Sequence, residues 1–185
     1  LKPEQVVAHE IGYLGELRDL RLTLDARLYR ERVSRILDLT PATPRNFINE
    51  DTARVRGLEY QAKWRGLPGT QVVLNQSFVR IASPDARLEE SSPTHATTLF
   101  ATLALPHDWD LSLAHHWVGA VRWLGFSERT EKYRRLDLRL AHRFRSGGTR
   151  GEVALTTQNV FSPYAEYRTS YLLSRRAFVS ASLDF

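Results

Sequence analysis

A chain of 185 residues without a single cysteine is neither a disulfide scaffold nor a thiolate metal site nor a thiol enzyme. Its mean hydropathy of −0.37 and its lack of any apolar run near roughly 18 residues exclude a membrane-crossing helix, while a strand-built membrane protein, apolar only at alternate positions, remains compatible. The net charge of +5 comes from 26 Lys and Arg against 21 acids, interleaved as in Arg27-Leu28-Tyr29-Arg30-Glu31-Arg32, which argues against nucleic acid as a partner.

Period-two alternation predicts nine strands, near 6–17, 20–36, 53–64, 71–81, 96–105, 110–123, 133–145, 152–160 and 176–185. Leu20, Leu22, Leu24, Ala26 and Leu28 form one face of the second strand, opposed by Arg21, Thr23, Asp25, Arg27 and Tyr29. Leu136, Leu138, Leu140 and Phe144 repeat this against Arg135, Asp137, Arg139 and Arg143. Such stretches approach the roughly 9–11 tilted residues that cross a bilayer. Between 53 and 81 the alternation is blurred by Arg54, Arg56 and Gln76.

Short turns at 18–19, 66–69, 106–108 and 146–149 alternate with long polar connections at 37–52, 82–95, 124–132 and 161–175. That order is the topology of an up-and-down barrel with short periplasmic turns and long external loops. Trp64, Trp109, Phe144 and Phe185 flank the short turns, and Tyr29, Trp117 and Trp123 lie toward the long connections, so two aromatic girdles are expected. The fold class predicted is all-β, an antiparallel up-and-down transmembrane β-barrel.

The last strand alternates apolar Val179, Ala181, Leu183 and Phe185 with Ser180, Ser182 and Asp184. It resembles the closing strand of bacterial outer-membrane proteins, whose assembly machinery reads an aromatic-terminated strand. These four apolar residues are therefore the expected assembly signal, with outer-membrane lipid and the barrel assembly machinery as partners. The chain begins Leu1-Lys2-Pro3-Glu4, without Met or a leader, so a secretory signal is either removed or lies upstream.

No catalytic chemistry is expected. There is no nucleophile elbow and no helical metal motif, and the glycine-rich stretch 145–151 lies between two amphipathic strands and reads as a hairpin turn. His115 and His116 are neighbours on a strand and face opposite sides, so a shared metal ion is not expected, nor is any cofactor.

Several segments together resemble TonB-dependent receptors: Leu1-Lys2-Pro3-Glu4 followed by Glu10-Ile11-Gly12-Tyr13-Leu14-Gly15-Glu16, then Ala53-Arg54-Val55-Arg56-Gly57-Leu58-Glu59, then Asp137-Leu138-Arg139-Leu140-Ala141, Gln158-Asn159-Val160-Phe161 with Tyr164, and terminal Phe185. The resemblance implies a piece of a 22-stranded barrel. Residues 1–185 are then its carboxy-terminal segment, with plug domain and earlier strands absent. It also implies a bacterial outer-membrane location and import of a scarce nutrient such as a ferric siderophore. A metal chelate or other small molecule becomes the expected ligand, and the plug, with TonB reached through it, the expected protein partner. Asp137, Arg139, Gln158 and Asn159 are candidates to face the lumen and plug, although Gln158-Asn159 reads equally as a strand-to-loop cap. Two other readings stay open: a self-contained small outer-membrane barrel with a structural or adhesive role, and a soluble β-sheet binding module.

Overall fold

The computed structural model describes residues 1–39, 44, 46–124 and 128–184. Nine strands pair with their sequence neighbours in one antiparallel sheet: β1 (Gln5–Leu17), β2 (Leu22–Leu39), β3 (Phe47–Trp64), β4 (Thr70–Ala82), β5 (His95–Leu105), β6 (Trp109–Val118), β7 (Tyr133–Ser146), β8 (Thr149–Gln158) and β9 (Arg176–Asp184). The sheet is open. Among the described residues β1 and β9 each have one free edge, and almost every residue of both is exposed.

The turns follow from their residues. Gly147 and Gly148 both have positive φ (57° and 90°), the two-residue geometry that matches strand twist, and His107 and Asp108 also have positive φ (62° and 59°) within the turn 106–108. A single turn of 3-10 helix, Arg18–Leu20, closes the first hairpin. At the other end of the sheet the β4–β5 connection carries one short helix, α1 (Ala86–Glu89), capped by the Asp85 carboxylate on the Arg87 amide.

Register aligns the alternation of each strand into two continuous faces. One face is apolar: Leu103, Leu111, Leu140, Leu155 and Val179 form a row across five strands, and Val72, Ala101, Leu113 and Leu138 form another. Trp64, Trp109 and Phe144 stand on this face at its short-turn end. Phe144 lies over Gly151, where an added Cβ would collide with its ring. The opposite face carries Asp25, Arg27, Glu59, Gln61, Asn75, Ser112, Asp137 and Arg139.

Three expectations from the sequence need correction. The connection placed at 37–52 is mostly strand, since β2 runs to Leu39 and β3 starts at Phe47, with Asp38 opposite Ile48. β2 and β3 are 18 residues each. At ~3.3 Å per residue and a ~40° tilt they rise ~45 Å, well beyond a ~25 Å apolar band, so their outer ends need no apolar face and hide the strand pattern. A β-bulge at Arg35 (φ 61°) shifts register there and further breaks the period. β6 stops at Val118 rather than 123, and Val121 pairs instead with Thr130 in an isolated bridge.

The third correction concerns the girdle near the long connections. Tyr29 is on the polar face, nearly buried, lying over Gly57 so closely that a Cβ there would strike its ring. Trp123 leaves the sheet and donates its indole N–H to the Glu166 carbonyl at 2.8 Å. The aromatic cluster at that level of the apolar face is instead Phe78 stacked on His95, with ring centroids 4.4 Å apart, and Trp117 at 4.6 Å from His95.

Candidate functional site: the polar face and its loops

Two charged clusters form on the polar face, where side chains of opposite charge on the same strand or on adjacent strands come within reach of one another. In the first, Arg27 of β2 lies between Glu10 of β1 (3.3 Å) and Glu59 of β3 (2.8 Å), and its guanidinium sits 4.9 Å from the Tyr29 ring centroid. Gln61 donates to Asn75 at 2.7 Å beside them. Arg27, Glu59, Gln61 and Asn75 line an open pocket of about 520 Å³ with Asp25 and Ser77. The pocket offers hydrogen-bond donors and acceptors and charges of both signs.

The second cluster spans β6 to β8. Arg135 grips Asp137 through two nitrogens (2.9 and 2.5 Å), Arg139 pairs with Glu152 at 2.5 Å, and Arg143 with Asp110 at 2.8 Å. His116 faces the same side and bonds Thr98 at 3.2 Å, whereas His115 turns to the apolar face and meets the edge of Phe161. The opposite facing expected of the two adjacent histidines is what the strand gives.

Of the four lumen candidates, Asp137 and Arg139 lie on the polar face and Gln158 ends β8 on that side. Asn159 does a local job. In a left-handed conformation (φ 52°), it is buried, its amide N–H donates to Asp137 Oδ1 at 2.9 Å, and its side-chain nitrogen holds the Ser162 and Leu173 carbonyls. That makes it the cap that folds 160–173 back over the sheet. Val179, Ala181 and Leu183 share the apolar face of β9, with Val179 69% exposed. Phe185 lies outside the described residues.

The loops at the far end of the sheet are tied by charges that sequence order did not reveal. Arg87 bridges Asp38 and Asp85 (2.7 Å to the latter), Arg122 holds Glu90 at 2.6 Å, and Glu128 receives both the Thr169 hydroxyl (2.8 Å) and its amide. The carboxyl oxygens of Asp38, Asp51 and Asp85 come together at metal-like spacing, but the cation among them is the Arg87 guanidinium. Tyr164 donates its hydroxyl to Glu166 at 2.9 Å; burial and then this bond push its phenol up to about 12.

The same ion pairs set a pH response. The Arg87 hydrogen bond holds the Asp85 carboxyl below its usual range, Arg122 does so for Glu90, and Thr169 for Glu128. Because these values are depressed on folding, the stabilisation is present above about pH 4 and lost as pH falls through the lower folded values. Amide exchange, corrected for its intrinsic pH dependence, is therefore expected to show unchanged protection at Leu88 to Glu90 between about pH 5 and 8 and a progressive loss as pH falls below about 4. Protection that persists there would contradict the clasp.

An antiparallel meander with one apolar face, one charged face and tied loops at one end is the architecture of a membrane barrel wall. The family model described as TonB dependent receptor-like, beta-barrel matches residues 1–160, and the chain belongs to that family, whose members are outer-membrane receptors and transporters rather than enzymes. No sequence among the curated proteins matches. Among solved structures, the chain is similar to the ferric-catecholate import receptor Fiu of E. coli K12 (closed form; 21% identity, TM-score 0.76, 98% of this chain and 28% of that one). It is also similar to the pyoverdine outer membrane receptor FpvA of Pseudomonas aeruginosa PAO1 (17%, 0.79, 100% and 30%) and the siderophore receptor PiuA of Acinetobacter baumannii (17%, 0.75, 98% and 28%). The chain thus spans under a third of the length of each of these receptors. In this family's architecture the apolar face meets lipid and the charged face meets the lumen.

Proposed function

We propose that the nine strands are the carboxy-terminal part of the wall of an outer-membrane TonB-dependent receptor that imports a scarce nutrient such as a ferric siderophore. The observation that carries the reading is a face of the sheet bearing the Arg27–Glu10–Glu59 network and the Arg135–Asp137, Arg139–Glu152 and Arg143–Asp110 pairs, backed by an apolar face of membrane-crossing length. Family membership and similarity to structures of siderophore receptors support it. On this reading the Arg27 and Asp137 clusters, with Arg139 and Gln158, line the lumen against a plug, through which TonB acts, and the loops closed by Asn159 and Arg87 help receive the ligand. The apolar strip Val179, Ala181, Leu183 and Phe185 is the assembly signal.

Its test is uptake of labelled iron by a host lacking the complete receptor gene, supplied in turn with ferric catecholates and hydroxamates. Loss of uptake of one chelate class, restored by the gene only when TonB is present, is the expected result. Unchanged uptake of every chelate would remove iron chelates as cargo.

A further inference from the structure

On β1 to β4 the apolar face ends at the row Ile11, Leu28, Leu58, Phe78. The next row toward the long loops, on the same face, is His9, Arg30, Arg56, Arg80, and Arg32 pairs with Arg54 one step beyond. All five arginines are exposed, while the residues between them, Ala53, Val55, Gly57 and Val79, are buried or half-buried. Charges interleaved along the sequence are thus segregated in space, and a cationic patch forms once three strands are in register.

Neighbouring strands lie ~4.8 Å apart, so Arg30, Arg56 and Arg80 stand side by side as like charges, an arrangement that opposes pairing. On the polar face Arg27, Arg135, Arg139 and Arg143 are offset by carboxylates. None of these five forms an ion pair among the described residues. Directly against the patch is a groove of about 550 Å³ lined by Leu28, Arg56, Gly57, Phe78, Arg80 and Thr94.

We propose that this face is a binding site for phosphate-bearing headgroups of outer-leaflet lipid. The acyl chains lie on Ile11, Leu28, Leu58 and Phe78, and the phosphates are taken by the guanidinium forks of Arg30, Arg56 and Arg80, with Arg32 and Arg54 beyond them. The apolar row immediately beside the cations selects an amphiphile over a soluble polyanion, which would gain nothing from it. The inference rests on the outer-membrane reading above, which sets the long loops outside.

The test uses the full-length receptor in phosphatidylcholine nanodiscs, with diphosphoryl lipid A and its dephosphorylated form as probes and retained lipid measured by mass spectrometry. Wild type is expected to prefer the phosphorylated form by about ten-fold or more. R30Q/R56Q/R80Q is expected to lose that preference, and R18Q/R65Q/R145Q, with the same charge change at the short-turn end, to keep it. Heat-modifiable migration reports folding; if the row variant does not fold, a wild-type preference that persists in the presence of inorganic phosphate decides for the lipid site. Equal retention of both lipids, or displacement by inorganic phosphate alone, overturns the lipid site while leaving the membrane reading intact. Failure of the wild type to enter a bilayer at all overturns both.

Discussion

Leu138→Arg is expected to cost the barrel about 2–4 kcal/mol and to empty the outer membrane of assembled protein. Leu138 lies midway along β7, paired with Leu113 and Thr157, in a row that runs Val72, Ala101, Leu113, Leu138. That row is flanked by another of Leu103, Leu111, Leu140 and Leu155, so a guanidinium there has apolar neighbours on both sides and a long reach to water. Gln61→Arg is the matched control. Gln61 is on the other face, opposite Asp25 and hydrogen-bonded to Asn75, and its replacement loses one bond, about 1 kcal/mol. Assembly is measured as heat-modifiable protein in the outer-membrane fraction. If both variants assemble equally well, the lipid-facing assignment is wrong.

Asp137→Ala has the next largest expected effect, about 2–3 kcal/mol, because one carboxylate serves two structures. It neutralises Arg135 and accepts the Asn159 N–H, and Asn159 in turn holds the Ser162 and Leu173 carbonyls. Its loss leaves a half-buried guanidinium unpaired and releases the loop after β8. Asp137→Asn keeps an acceptor for that amide and is expected to cost nearer 1 kcal/mol. Protease nicking within 161–175 should rise sharply in the alanine variant and little in the asparagine one; equal protection in all three proteins would sink the tether.

The fold was legible wherever strands cross the apolar band, because lipid demands an apolar residue at every second position. β1, β4, β5, β7 and β9 lie within a residue or two of the expected limits, and β8 starts three residues earlier than expected. It was illegible where strands continue past that band. Arg54 and Arg56 blur the alternation because above the apolar row the polar residues turn outward and Ala53, Val55 and Val79 turn in, whereas Gln76 is a polar residue within the apolar face, opposite Tyr60 and Thr97. The same inversion made 37–52 read as loop. Asp137 and Arg139 could be placed on the polar face from period two alone. The Arg27–Glu10–Glu59 network could not, since it depends on the register of three strands, which no single strand encodes. Nor could the role of Asn159 be chosen between cap and lumen amide, because its left-handed backbone is a property of the loop it closes.

The central claim is a two-faced wall spanning a membrane, and the absence of cysteine makes it directly testable. Single cysteines at consecutive positions of β7, Leu136 to Ala141, in the full-length receptor in bilayers, would be labelled with a fluorophore and exposed to lipid-soluble and water-soluble quenchers. Strict alternation is predicted, with Leu136, Leu138 and Leu140 quenched from the lipid and Asp137, Arg139 and Ala141 not. Quenching from water at all six positions, or without a period of two, would contradict it.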